Sequence, residues 1–377
     1  MQKKIIVLAI AAAFSVPAFA ADYAVYGIAD VAVANIQASG TKGDTIVTTG
    51  GLAGSRIGVK GSEDLGNGMK ASVAMEYSLN VTDSAGVGSA RQEMLALAGD
   101  FGTVAGGYLQ TTGYDFSRFD PTAGSLVTPL GNITSKSFMI GNQAALKRAA
   151  SALAYISPEM GGVTVALNYS ADAAGGLGNV GLADTSVAEK GTAYLASVNY
   201  LSGPLAFAIV HASYTAASTA AVAATANSWD LAGVAVGYTK AVAAKVGAKT
   251  TETALGGSYD LGVAKISATY QTNKVDTAND ANNVMSVSAL APVGPGSVAV
   301  SYAKATMTAN GADTDASGMT AAWLQGLNKT TTFYAAYSNM SQGSATNAYS
   351  VAGNAVGGKV AAGTGSSMIA LGLNKKF

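Results

Sequence analysis

The chain has 377 residues, of which 49% are hydrophobic and only 12% are charged, and its formal net charge is zero. Soluble proteins carry about 25% charged residues, so much of this chain's surface is not expected to face water. The absence of cysteine excludes disulfide scaffolds and thiolate metal sites, and the single histidine, His211, is too little for a metal centre, so neither catalysis nor a cofactor is expected.

Residues 1–20 have the pattern of a secretory signal peptide. The segment starts with the basic pair Lys3 and Lys4, continues with an apolar stretch, and ends at the small residues Ala18 and Ala20 of a predicted cleavage site. A buried N-terminal helix is disfavoured, because a helix-breaking proline stands just before that site. Cleavage would leave 20 basic and 22 acidic residues, a nearly neutral exported chain with no case for binding nucleic acid.

After the signal segment the hydrophobic period is two, which is the period of a β-strand. In Met69–Tyr77, for example, the polar residues Lys70 and Glu76 lie on one face, whereas the other face is apolar. One face suits water and the other suits hydrocarbon. Similar segments recur along the chain, and many end in tyrosine: Tyr23–Val33, Thr192–Tyr200, Ala206–Tyr214, Val263–Tyr270, Val298–Tyr302 and Thr331–Tyr337.

Short turns and long loops alternate between these segments, which is typical of transmembrane barrels. The short connections include Ser62–Gly68 and Gly99–Gly102, and the long ones include Thr111–Ala145 and Ser341–Gly365. A soluble β-sandwich also alternates, but its outer face would carry more charge. Because hydrocarbon offers no partner to an open sheet edge, the sequence predicts that residues 21–377 form one closed, antiparallel transmembrane β-barrel.

The end of the chain predicts a last strand with an apolar outer face. The residues that share this face are Ile369, Leu371, Leu373 and Phe377. A final strand that ends in an aromatic residue is the kind of signal that the barrel-assembly machinery of the outer membrane recognises. We therefore expect that machinery, outer-membrane lipid and lipopolysaccharide as partners.

Several segments resemble the Gram-negative general porins of the β-proteobacterial and neisserial type. These segments are Tyr26–Val31, Gly54–Gly66, Arg91-Gln92, Gly99–Val104 and Tyr155–Pro158. The resemblance implies a barrel of sixteen strands, usually a homotrimer, through which small hydrophilic solutes and ions diffuse passively across the outer membrane. An extra candidate hairpin, Ser228–Tyr238 followed by Ala243–Thr251, would give eighteen strands instead.

The resemblance also implies a constriction, formed by a third extracellular loop that folds into the barrel; the matching loop is 111–145. Acidic residues on such a loop face basic residues on the wall, and the transverse field favours small polar solutes. The implied constriction residues are Arg56, Lys60, Arg91, Arg148, Asp115, Arg118 and Asp120, and alternation predicts that Asp30, Lys70, Glu76 and Glu93 face the lumen. The alternative is that the arginines are solvated loop or interface residues.

The sequence thus predicts a general diffusion channel with weak charge selectivity, since the wall is less basic than the family usually shows. Tyr108, for instance, occupies a position that is often basic. A substrate-specific channel, for example for sugars or organic anions, is the alternative. Such a channel would need aromatic residues along the lumen, and the chain has only two tryptophans, Trp229 and Trp323. An outer-membrane enzyme would depend on His211 as its base.

Overall fold

The structure is a computed structural model, and it describes residues 22–39, 43–173, 191–216, 247–276, 281–309, 311–351 and 360–377. The predicted signal segment with Ala18 and Ala20, Trp229, and most of the extra candidate hairpin lie outside the described residues. Within the described part, no helix is both long and apolar enough to span a membrane.

Strands dominate the described chain. The first ten are β1 (Asp22–Ala38), β2 (Asp44–Thr49), β3 (Arg56–Gly66), β4 (Met69–Leu79), β5 (Val87–Gly99), β6 (Gly102–Gln110), β7 (Arg148–Ile156), β8 (Val163–Asp172), β9 (Thr192–Ser202) and β10 (Leu205–Thr215). The others are β11 (Lys249–Asp260), β12 (Lys265–Val275), β13 (Ala281–Val293), β14 (Gly296–Thr306), β15 (Thr308–Ala309), β16 (Ala312–Asp313), β17 (Ala316–Gly326), β18 (Thr331–Gln342) and β19 (Ser366–Lys376). Between β6 and β7 lie the helices α1 (Thr112–Asp115) and α2 (Pro129–Ser137) and two short 3-10 turns, Phe116–Phe119 and Ala145–Lys147.

All strands except β15 and β16 form one antiparallel sheet that closes on itself, because β1 pairs with β19 from Ile28↔Lys376 to Ala38↔Ser366. β2 and β3 both pair with β1, above and below a break, so they are two halves of one wall strand. The wall therefore has sixteen strand positions. The eighteen-strand alternative is wrong, since β10 pairs directly with β11 along its whole length and leaves no place for another hairpin in the wall.

The two faces of the wall follow the alternation in the sequence. On β10, for instance, Leu205, Phe207 and Ile209 are exposed on the outside, whereas the alanines between them are buried. An apolar outer belt suits hydrocarbon, and closure pairs the strand edges that hydrocarbon would leave unpaired. Small inward side chains leave room for chain inside the barrel.

Tyr334 of β18 packs inside the barrel at the junction where β1 pairs with β19. Its ring is fully buried and lies over Gly372 of β19 and Gly51, the latter in the break between β2 and β3. A Cβ atom at Gly372 would lie 2.3 Å from the Tyr334 Cζ, and one at Gly51 would lie 2.1 Å from its hydroxyl oxygen. Both positions therefore need glycine for steric reasons.

We predict that Gly372→Val destabilises the barrel, because the new side chain displaces the buried tyrosine. Overpacking of this kind costs about 1–3 kcal/mol. The matched control is Gly257→Val in β11, where a Cβ atom would have no neighbour closer than 3.7 Å. The fraction of refolded barrel as a function of urea, read from gel mobility without heating, measures both. Equal loss of stability in the two variants would contradict this account of the junction.

Candidate functional site

The segment between β6 and β7, residues 111–147, lies inside the barrel and is called the inner loop below. Three hydrogen bonds to inward-facing wall residues show its path. The Thr112 N–H donates to Asn168 Oδ1 of β8 at 2.9 Å, the Ser288 hydroxyl of β13 donates to the Phe119 carbonyl at 3.1 Å, and the Ser338 hydroxyl of β18 donates to the Val127 carbonyl at 3.1 Å. The inner loop is thus attached across the wall from β8 to β18.

Apolar contacts reinforce these attachments. Phe116 and Phe119 of the inner loop pack with Leu195 and Val210 in one buried cluster. A Cβ atom at Gly256 of β11 would lie 2.4 Å from Phe119, so glycine there admits the ring. A second cluster joins residues around α2 to β13, β14, β18 and β19: its larger members include Val127, Leu130, Ile133, Phe138, Val284, Met340, Tyr349 and Met368.

Glu252 of β11 is a further anchor of the inner loop, and nothing in the local sequence indicates it. It is only 1% exposed, and its carboxylate accepts the N–H of Met139 at 2.5 Å and of Ile140 at 3.2 Å. Its partner Met139 lies 113 residues away in the chain, so no local sequence pattern indicates this contact. The carboxylate thus pairs two inner-loop N–H groups that would otherwise be buried without an acceptor.

Basic residues gather on the opposite part of the wall, on β3 and β5, around Glu76 of β4. The Arg91 Nε lies 2.7 Å from Glu76 Oε1, and an Arg56 terminal nitrogen lies 3.9 Å from the same oxygen. All three side chains keep 13–18% of their surface exposed. A register shift in β5 opposite Tyr77 turns Arg91 to the inside.

The same shift changes the face of Glu93. Strict alternation from Arg91 would place Glu93 inside, but its partner Met75 faces outward, and Glu93 faces outward with it. There its carboxylate accepts a hydrogen bond of 2.5 Å from the Tyr77 hydroxyl. The bulge therefore separates two charged residues that a simple period of two would place on one face.

The junction between the inner loop and β7 adds two cations, Lys147 and Arg148, to this basic wall. Arg148 is 6% exposed, its Cζ lies 5.3 Å from the Tyr114 ring centre, and two of its guanidinium nitrogens have no hydrogen-bond partner among the described residues. Lys147 precedes it and is partly exposed. Burial, together with the nearby charges of Arg148 and Arg91, lowers the pKa of Lys147 to about 8. Lys147 is not among the predicted constriction residues.

The acidic residues of the inner loop differ in their surroundings. Removal from water raises the pKa of Asp115 to about 6, although Arg118 and a hydrogen bond from Gln110 oppose that rise. Asp120 is buried and accepts the Thr122 N–H at 2.8 Å and the Thr128 hydroxyl at 2.5 Å. Its carboxylate therefore organises the turn before α2.

Arg118 and the remaining predicted lumen residues lie at separate places. Arg118 donates to Asn199 of β9, and the Lys60 Nζ lies 5.5 Å from the Tyr26 ring centre. Lys70, near the start of β4, is partly exposed. Asp30 faces the interior but is 0% exposed, so it reaches no solvent.

The outer face carries the residues of the predicted terminal signal, since Ile369, Leu371, Leu373 and Phe377 are about half exposed. The Phe377 backbone pairs with that of Gly27 in β1 at 3.0 and 3.1 Å. Trp323 lies on the outward face of β17, so it is not part of an aromatic lumen. His211 is exposed on the outside of β10, with its Nδ1 2.9 Å from the Thr253 hydroxyl.

A family model described as Gram-negative porin matches residues 7–346. Outer membrane porin protein 32 of Delftia acidovorans is 28% identical over 343 residues, which cover 89% of this chain and 88% of that protein. A major outer membrane protein P.IB of Neisseria meningitidis serogroup B is 30% identical over 213 residues, which cover 54% of this chain and 56% of that protein.

Solved structures give the same picture. The anion-selective porin from Comamonas acidovorans superimposes with a TM-score of 0.74 at 26% identity, covering 95% of this chain and all of that one. The trimer form of OmpT from Vibrio cholerae has a TM-score of 0.63 at 16% identity, covering 95% of this chain and 100% of that one, which shows a shared fold.

We predict that Glu252→Ala loosens the inner loop without opening the barrel, because the buried N–H groups of Met139 and Ile140 lose their acceptor. Their amide hydrogen exchange in detergent should become roughly tenfold faster or more. Thr253→Val, the outward-facing neighbour on the same strand, is the control and should leave this exchange unchanged. Unchanged exchange in Glu252→Ala would show that the apolar clusters alone hold the loop.

Proposed function

This chain belongs to the Gram-negative porin family, and on that premise we propose how its pore discriminates between solutes. The protein is an outer-membrane channel for passive diffusion of small hydrophilic solutes and ions. Its family and its fold are those of channels rather than of enzymes. We infer that its pore prefers small anions, weakly. The observation that carries this proposal is the excess of cations on the part of the inner wall that the inner loop leaves free.

The position of the inner loop supports a pore along β3, β4 and β5. The loop binds to the wall from β8 to β18 through Asn168, Glu252 and Ser338. Arg56 and Arg91, on the other part of the wall, face the interior and retain exposed surface. We infer that water and solutes pass between these arginines and the inner loop, which makes residues 111–147 the constriction.

The charges beside this passage favour anions. Arg56 and Arg91 lie beside the Glu76 carboxylate, and Arg148 and Lys147 lie close enough to Arg91 to interact with its charge. The carboxylate of Asp120 is buried and hydrogen-bonded inside the loop, so it offers no exposed acidic site to a passing ion. The Comamonas relative at 26% identity is described as anion-selective, which agrees with this sign.

The preference should be weak because two acidic groups remain beside the passage. Glu76 neutralises part of the field of Arg91, to which it is hydrogen-bonded at 2.7 Å. Asp115 opposes Arg118 within the inner loop, although its charge depends on pH. The surface beside the passage therefore carries an excess of positive charge, but acidic residues lie among the basic ones.

The test is the reversal potential of single channels in a planar bilayer under a salt gradient. We predict an anionic sign for the unaltered protein and a smaller potential for Arg91→Gln and Arg148→Gln. Removing one charge beside the passage changes the energy of an ion by about 0.5–1 kcal/mol, or roughly two- to fivefold in the permeability ratio. Lys304→Gln, on the exposed outer face of β14, is the matched control. A cationic sign, or no conductance from a folded barrel, would refute the proposal.

We also predict that the anion preference falls as pH rises. The pKa of Lys147 is lowered to about 8, so this side chain loses its positive charge between about pH 7 and 9. The pKa of Asp115 is raised to about 6, so below that pH its negative charge disappears and the preference increases. Reversal potentials from pH 5 to 9 measure both steps, with Lys147→Met and Asp115→Asn each expected to abolish one. A flat profile would exclude both groups from the pore.

We further propose that residues 1–20 are removed on export, that three copies assemble, and that the outward face of β19 guides insertion among outer-membrane lipid and lipopolysaccharide by the assembly machinery. The alternating apolar residues Ile369, Leu371 and Leu373 support the last point, and the trimer form of the Vibrio relative supports the second. Native mass spectrometry of the intact assembly gives the number of copies, and the mass of the dissociated chain shows whether residues 1–20 have been removed. A monomer with the mass of the full-length chain would contradict the proposed trimer and the proposed cleavage.

A further inference from the structure

Asp30 is a fully buried carboxylate at the closing junction of the barrel, and the pore proposed above makes no use of it. Its Oδ1 accepts the Tyr334 hydroxyl of β18 at 2.7 Å, and its Oδ2 accepts the Asn374 amide of β19 at 2.7 Å. No lysine or arginine of the described residues forms an ion pair with it, since the ion pairs found there are those of Glu76. Hydrogen-bond donors alone therefore stabilise the carboxylate.

Two more donors come from the break between β2 and β3. The pairs Val31↔Thr49 and Ile28↔Arg56 leave six residues, 50–55, opposite only two residues of β1. We call residues 50–55 the wall insert. The N–H groups of Leu52 and Ala53 point to the Asp30 carboxylate, at 3.3 and 3.1 Å. The carboxylate thus fixes the wall insert to three neighbouring strands.

The backbone of Asp30 holds both ends of the same insert. Its carbonyl accepts the Gly50 N–H at 3.2 Å and the Ser55 hydroxyl at 3.2 Å. Its N–H donates to the Ser55 hydroxyl oxygen at 2.9 Å. One residue of β1 therefore binds the start, the middle and the end of the wall insert.

The wall insert in turn binds the inner loop. The Leu126 N–H donates to the Gly50 carbonyl at 3.2 Å, and the Gly54 N–H donates to the Gly124 carbonyl at 3.2 Å. On its other side this turn of the inner loop is held by Ser338, whose hydroxyl donates to the Val127 carbonyl at 3.1 Å. The turn is clamped between the wall insert and β18.

We propose that Asp30 is a positioning residue of the pore: through the wall insert, it holds the inner loop at the place where the loop constricts the channel. This inference rests on the proposed function for its consequence in conduction, but its structural content is independent of the sign of the charge preference. An aspartate is needed because both oxygens must accept. An asparagine in its place offers one acceptor, and its amide N–H₂ would face donors.

The competing account is that Asp30 only fastens the closing junction. Two variants separate the accounts. Asp30→Asn removes an acceptor from the wall insert and from the junction alike, whereas Tyr334→Phe removes only a junction donor and keeps the ring over Gly372. Ser55→Ala is a milder variant that acts on the insert alone, and it keeps the test informative if Asp30→Asn does not refold.

The first measurement is amide hydrogen exchange at Leu126, whose N–H reports the contact between the wall insert and the inner loop. We expect exchange to be roughly tenfold faster in Asp30→Asn, faster to a smaller extent in Ser55→Ala, and unchanged in Tyr334→Phe. Equal effects in Asp30→Asn and Tyr334→Phe, or none in either, would overturn the proposal. This result does not depend on whether the channel prefers anions.

The second measurement is single-channel recording of the same variants. Asp30→Asn should show more open-channel current noise and additional conductance levels, because the inner loop then has more than one position. Tyr334→Phe should keep the conductance of the unaltered protein even if it unfolds at lower urea. A steady conductance in Asp30→Asn despite faster exchange at Leu126 would overturn the role in the pore while leaving the family function intact.

Discussion

Backbone pairing in hydrocarbon is the constraint on which the rest of this molecule depends. A bilayer core offers no partner to an N–H or C=O group, so a sheet that crosses it must close. In this chain β1 pairs with β19 and closes a wall of sixteen strand positions. Closure also creates an enclosed interior, and the inner loop can cross that interior because inward serine, threonine and asparagine side chains meet its backbone groups.

The inward carboxylates of this interior fall into two kinds. Asp30 and Glu252 are no more than 1% exposed, and backbone N–H groups, a phenol and an amide stabilise them in place of cations. Glu76 lies between arginines and keeps some exposed surface. Desolvation explains the division, because a carboxyl group far from water needs hydrogen-bond partners in the protein, and partners held by the backbone also hold chain segments in place.

Much of the wall follows from the sequence, because a period of two and a loop length are local properties. The interior does not, since its contacts join distant residues: Tyr334 and Asp30 are 304 positions apart in the chain, and no local pattern reveals the partners of Glu252. The rule that successive residues of a strand alternate between the inside and the outside of the barrel also fails at a β-bulge. The register shift in β5 places Arg91 inside and Glu93 outside, although both have odd numbers and the sequence shows no sign of the extra residue.

The pairing of β1 with β19 has a consequence for biogenesis. The bonds that close the cylinder join residues such as Ile28 and Lys376, which are farther apart in sequence than the partners of any other strand pair among the described residues. Such distant pairing is slow, because the ends must meet against the entropy of the whole intervening chain. Synthesis produces the early strands first, so the edge of β1 that pairs with β19 stays open until the final segment is made. The topology therefore makes the last strand the one that removes the exposed sheet edge of the first.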